Sequence, residues 1–134
     1  MVRMFGYILA ILVIGFLAYV RLAPSDPARW HVSVTAKANE TMAGGAIRVV
    51  PNKDGAWDAL NIALAGFERT HLLAGSVEQG HVTYVTRSKL IGFPDYTTLE
   101  KSGDSIKLYA RLRFGSSDMG VNAARLDALV KLLN

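Results

Sequence analysis

The sequence predicts an α+β protein, with an N-terminal transmembrane helix followed by a small antiparallel sheet packed with two amphipathic helices. Three observations carry the prediction: an uncharged apolar run near the amino end, a strict two-residue alternation in the last strand, and two stretches with apolar residues at helical spacing. The chain has 134 residues, enough for one domain of ordinary size. Expected boundaries are an anchor over 1–21, an extended linker and loop over 22–45, and a soluble domain over 46–134.

The apolar run is "MFGYILAILVIGFLAYV", residues 4–20, uncharged and flanked by Arg3 and Arg21. It is at the short end of what crosses a bilayer of roughly 30 Å, and it lacks the polar face of a buried core helix. A cleaved signal peptide needs small residues at the cleavage point, where "LAYVRLAP" places Arg21 and Pro24. Membrane lipid is therefore the expected partner of residues 4–20. Arg21, Arg29 and Lys37 follow the span and only Arg3 precedes it, which by charge alone favours a cytoplasmic head. Pro24 and Pro27 predict an extended spacer, with Trp30 capping the core of the head, and "TAKANETMAGG" reads as a loop. Its Asn39-Glu40-Thr41 sequon matters only in a eukaryotic secretory setting.

"AIRVV" (46–50) predicts a strand, and "DGAWDALNIALAGFE" a helix capped by Asp54, with Trp57, Leu60, Leu64 and Phe67 as its buried stripe. "THLLAG" and "HVTYVTRSK" read as strands around "SVEQG"; "DYTTLE" and "SIKLYARLRF" flank a hairpin turn at "KSGD". In the last strand Ile106, Leu108, Ala110, Leu112 and Phe114 alternate with Ser105, Lys107, Tyr109, Arg111 and Arg113, an apolar face and a polar one. Met119, Asn122, Leu126, Leu129, Val130 and Leu133 then fall on one face of a closing helix. The order is β-α-β-β-β-β-α, with both helices on one face of the sheet.

The stretches "TYVTRSKLIGFPDYTTLE" and "YARLRFGSSDMGVNAARLDALVKLL" resemble a bacterial family of unknown function, domain number 1499, with relatives in plant plastids. The resemblance lies in Arg87-Ser88, the tetrad Phe93-Pro94-Asp95-Tyr96, Arg111 and Arg113, Gly115 through Asp118, Gly120, Asn122 and Arg125, and in "RLAPSDPARWH". It implies a small exported or membrane-associated protein without an established activity. Many members carry a cysteine pair and a lipoprotein-like signal near the domain start, whereas this chain has no cysteine. The export habit of the family turns the expectation toward the bacterial inner membrane with a periplasmic head.

No catalytic constellation is evident. Ser88, Ser116 and Ser117 lie outside any Gly-x-Ser-x-Gly turn, and His31, His71 and His81 have no partner at a defining spacing. His71 and His81 meet only if their strands bring them together, so no metal and no cofactor are expected. The net charge of +4 comes without dense basic clusters, which argues against nucleic acid. Asp95 and Asp118 are the candidate acid–base pair, each equally explained as a turn or cap residue. Arg87, Tyr109, Arg111 and Arg113 are the candidate ligand or partner contacts, on an outward face, with the start of the last helix as a further anion site that Asp118 opposes. Asn122 on the buried stripe predicts a hydrogen-bonded corner joining the last strand and helix, with backbone groups near "GFPDY" as its partners. The leading expectation is a single-pass, non-catalytic accessory or interaction subunit of a membrane protein complex. The alternatives are a binding module for an anionic ligand or lipid headgroup, and an enzyme of unknown class using Asp95 and Asp118.

Overall fold

The computed structural model describes every residue, Met1–Asn134. Helix α1 (Val2–Leu22) takes in the whole apolar run, with a mean hydropathy of 2.1 over its most apolar window, and most of it projects free of the head. It stops at Ala23, which precedes Pro24 and takes the extended conformation that a following proline imposes (φ −59°, ψ 128°). One helical turn follows, α2 (Pro27–Trp30), with proline at its first position and the Asp26 carboxylate accepting from Ala28 N at 3.0 Å.

The head is one antiparallel sheet built from β1 (Glu40–Met42), β2 (Gly45–Pro51), β3 (Thr70–Ser76), β4 (His81–Arg87), β5 (Pro94–Ser102) and β6 (Ser105–Leu112). Their spatial order is β1-β2-β6-β5-β4-β3. The long hairpin of β5 and β6 turns at Gly103 (φ 59°), within the "KSGD" that predicts it. Helices α3 (Ala56–Ala65) and α4 (Val121–Lys131) cover one face, as the two amphipathic patterns require. The core lies between: Trp57, Leu60 and Leu64 of α3, Leu126 and Leu129 of α4, and Ile106, Leu108 and Ala110 of β6. Phe67 packs at its edge. The α+β class and the antiparallel sheet under two helices are as the sequence predicts.

The opposite face departs from expectation. Residues 22–45, read as an extended linker and loop, pack on the sheet instead. Trp30 stacks on Tyr96 with ring centroids 4.0 Å apart, in a small second core with Val85. His31 lies against β4, its Nδ1 2.8 Å from Thr83 Oγ1, and stacks on His81 at 3.8 Å. Burial, with the neighbouring His81 and Arg111, pushes the His31 imidazole below its ordinary pKa against an opposing pull from Glu100. Gly75 (φ 78°) makes the room: a Cβ there would stand 2.7 Å from His31 Cε1. Val34 is buried, its N–H bonded to Glu100 and its carbonyl to Lys107. Glu40–Met42 adds strand β1 to the sheet edge. The reason is that the polar residues of the face pair with the backbone of this connector, so its own apolar content does not have to be high.

Two further corrections follow from local geometry. Asp54 does not cap α3; Gly55, in the left-handed region at φ 81°, starts it. The face of Tyr109, Arg111 and Arg113 is not turned to solvent. Tyr109 and Arg113 are half-buried and Arg111 is only 8% exposed, because the connector crosses over them.

Trp30→Ala tests whether the connector belongs to the fold. The expected loss is about 3 kcal/mol of unfolding free energy, together with rapid proteolysis between residues 23 and 36. Unchanged denaturant midpoint and cleavage would return the segment to the status of a linker.

Candidate functional site

The two longest motifs of the sequence meet at one end of the sheet. Pro94 and Asp95 open β5, next to the end of β6 at Leu112. After β6 the chain bends at Gly115 (φ 96°) and enters α4 through Gly120 (φ 81°). Asp118 fastens that turn: Oδ1 accepts from Gly120 N at 2.9 Å and Oδ2 from Asn122 N at 3.2 Å. These are the free donors of the helix start, so the anion site considered there is already filled by the chain's own carboxylate.

Asn122 is fully buried, on the stripe that its helical phase predicts. Its Nδ2 donates to Asp118 Oδ2 at 2.7 Å and to Asp95 Oδ2 at 3.2 Å, and its Oδ1 accepts from Arg125 Nη1. The partners are thus side-chain carboxylates rather than the backbone groups expected. Arg125 closes the ring with an ion pair to Asp95 at 3.7 Å. Burial raises the Asp95 carboxyl above its ordinary pKa, and the nearby Asp118 charge adds to the rise. The Arg125 charge and the Asn122 amide oppose it. Burial also lowers Arg125. Asp95 and Asp118 do approach each other, but their oxygens are engaged by Asn122, Arg125 and the helix start, which describes a structural lock.

The arginines singled out in the sequence have a common task that the sequence does not reveal. Each donates to a backbone carbonyl of the chain leaving α1. Arg87 Nη1 donates to Val20 O at 3.1 Å and to Gly92 O at 2.9 Å. Arg113 Nη1 donates to Pro24 O at 3.1 Å and to Tyr96 Oη at 3.2 Å. Arg111 Nη2 donates to Trp30 O, while its Nη1 bonds Thr98 Oγ1 at 2.8 Å and Tyr109 O at 3.1 Å. Burial lowers the Arg111 guanidinium to about 10, so it remains charged at neutral pH. The Tyr109 ring lies 4.5 Å beneath it. Tyr96 completes the clamp, its hydroxyl 2.6 Å from Ser25 Oγ. In return Arg21 donates to Leu90 O at 2.7 Å and Ile91 O at 3.1 Å. Phe93 stands edge-on to Phe16 and Phe114 edge-on to Tyr19, and the two phenylalanine rings are tilted against each other.

Beside the lock opens a cleft of about 370 Å³, lined among others by Arg69, Arg87, Ser88, Phe93, Ser117 and Arg125. It shares Phe93 with the docking surface of α1. Arg69 was not singled out in the sequence, where a lone arginine in "FERT" gives no signal. It adopts φ 55° and exchanges hydrogen bonds with Arg87, Nε to Arg87 O and Arg87 N to Arg69 O, both at 2.9 Å. Ser88 Oγ accepts from Gly92 N and Phe93 N, so it staples a loop. His71 pairs across the ladder with Val85 and His81 with Ser76, which keeps those two histidines apart.

The chain belongs to the family described as "Protein of unknown function (DUF1499)", which matches residues 20–133. The match begins at Val20, the residue whose carbonyl Arg87 holds. No curated protein matches the chain.

Asn122→Leu keeps the branched shape and removes the shared amide. We expect a loss of about 2–3 kcal/mol in chemical denaturation and a further rise of the Asp95 pKa by NMR titration. Wild-type stability in that variant would mean that the corner is not held by its amide.

Proposed function

We propose that this family member is a single-pass protein of the bacterial inner membrane, its head on the periplasmic side, that binds an anionic lipid headgroup in the cleft beside the lock. The single observation that carries the reading is the position of that cleft. Three arginines (Arg69, Arg87 and Arg125) line it beside the two carboxylates of the lock, Asp95 and Asp118, and one of its walls, Phe93, also packs on α1. A headgroup phosphate at the bilayer surface is the nearest abundant anion to such a cleft, and arginine forks suit it. Arg69 and Arg87 also keep guanidinium N–H groups beyond those spent on carbonyls and Glu68. The reading takes α1 as a retained anchor. In support, Val20 is 1% exposed within the head, and Phe16, Tyr19 and Arg21 contact it, which a discarded leader would not need. The periplasmic side follows the export habit that the family resemblance implies.

The accessory-subunit role ranks second. Its chosen partner surface, Tyr109, Arg111 and Arg113, is engaged by the chain's own connector, and the remaining support is the bare outer surface of α1. Catalysis by Asp95 and Asp118 has less support still, since both carboxylates are committed to the lock.

The test is the melting temperature of the full chain in nanodiscs of phosphatidylcholine, with and without phosphatidylglycerol. Binding to the folded state raises the melting temperature in the anionic discs. Arg69→Gln should lose most of that rise while melting like wild type in neutral discs. Equal melting of wild type in both lipids would overturn the proposal, and so would an undiminished rise in the variant.

A further inference from the structure

We infer that the β4–β5 loop, Ser88–Phe93, is a second membrane contact, immersed in the leaflet from which α1 emerges. The inference rests on α1 crossing the bilayer and does not depend on what the cleft binds. Helix α1 has 21 residues, which at helical rise is ~31 Å, about the thickness of the hydrocarbon. Phe16 then lies six residues, roughly 9 Å, inside the point where the helix ends. Phe93 packs at that depth, its ring 6.3 Å from Phe16, while Arg21, at the end of the helix, bonds the carbonyls of Leu90 and Ile91. A domain merely hanging from a tether would not reach back along its own span.

The side chains agree with the depth. Leu90 is 83% exposed and Ile91 37%, apolar surface that continues the bare flank of α1 and that nothing in the head covers. Lys89 flanks them with a charge on a long stem, able to rise to the phosphates while the apolar tips descend. The occupant is therefore lipid, whose acyl chains already surround the adjoining helix.

A second observation is independent of exposure. Irregular backbone is excluded from lipid because its polar groups go unmet there. In this loop the four carbonyls from Leu90 to Phe93 are met internally, as are two of the amides. The carbonyls of Leu90 and Ile91 accept from Arg21, that of Gly92 from Arg87, and that of Phe93 from Ser88 N. The amides of Gly92 and Phe93 donate to Ser88 Oγ. A solvent-exposed loop has no need of two guanidinium groups and a hydroxyl devoted to its main chain. A loop lowered into a leaflet does.

The chain has no cysteine, so single labels are straightforward. Leu90→Cys and Asp104→Cys, in the full chain reconstituted in vesicles, each receive an environment-sensitive fluorophore. Asp104 sits in the exposed β5–β6 turn at the far end of the sheet. The label at 90 should emit to the blue of that at 104 and lose most of its emission to lipids carrying a nitroxide near the headgroup. The label at 104 should be unaffected. A water-like spectrum at 90 overturns the inference. A blue-shifted label at 90 that lipid nitroxides fail to quench overturns it equally, because a protein, whether a second copy or another partner, then covers the loop.

Discussion

The path of the chain between α1 and the sheet is set by guanidinium groups bonded to main-chain carbonyls. Arg87, Arg113 and Arg111 take the carbonyls of Val20, Pro24 and Trp30 in turn, and Arg21 takes two carbonyls from the loop opposite. A charged donor to a carbonyl is among the stronger hydrogen bonds available, and a buried guanidinium left without acceptors costs several kcal/mol. The arrangement therefore enforces itself: burying Arg111 requires the connector, and the connector's turn at Trp30 requires Arg111. Trp30 on Tyr96 adds apolar area to the same contact. The second face of the sheet is consequently closed, and the head is joined to α1 by a packed interface.

The corner of Asp95, Asn122, Asp118 and Arg125 does for the helix face what the clamp does for the other. Both lie at the end of the sheet where α1 joins the head. Toward the β5–β6 turn, His81, Glu100 and Lys107 hold the connector at Val32 and Val34 in the same manner. A buried carboxylate bonded to an amide and an arginine holds the first turn of α4 against β5, and the cleft follows from that spacing. Both carboxylates there are already engaged, Asp95 by Asn122 and Arg125 and Asp118 by Asn122 and the start of α4, which suits a structural corner better than proton transfer.

Periodicity made the core legible. The alternation of Ile106, Leu108 and Ala110 and the stripe of Leu126 and Leu129 both face the interior, and the phase of α4 alone places Asn122 in a buried corner. The other face was illegible for a physical reason. Its partners are backbone carbonyls, which every residue possesses, so nothing in "RLAPSDPARWH" announces that Arg111 will bond Trp30 O. Alternation marks Arg111 as polar-facing and cannot say that another segment will cover that face. β1 is three residues of no strong propensity, paired only because β2 offers an edge. The start of α3 went to Gly55 rather than Asp54 because a left-handed turn precedes it. Arg69 carried no pattern at all.

The central claim is that the head and α1 form one rigid unit. The distance distribution between spin labels at Leu12→Cys on α1 and Asp104→Cys on the far turn, measured by pulsed electron resonance in nanodiscs, tests it directly. The account predicts a single narrow distance that broadens when Arg87 and Arg111 are replaced together by alanine. A broad distribution in the otherwise wild-type chain would contradict it and make α1 a tether.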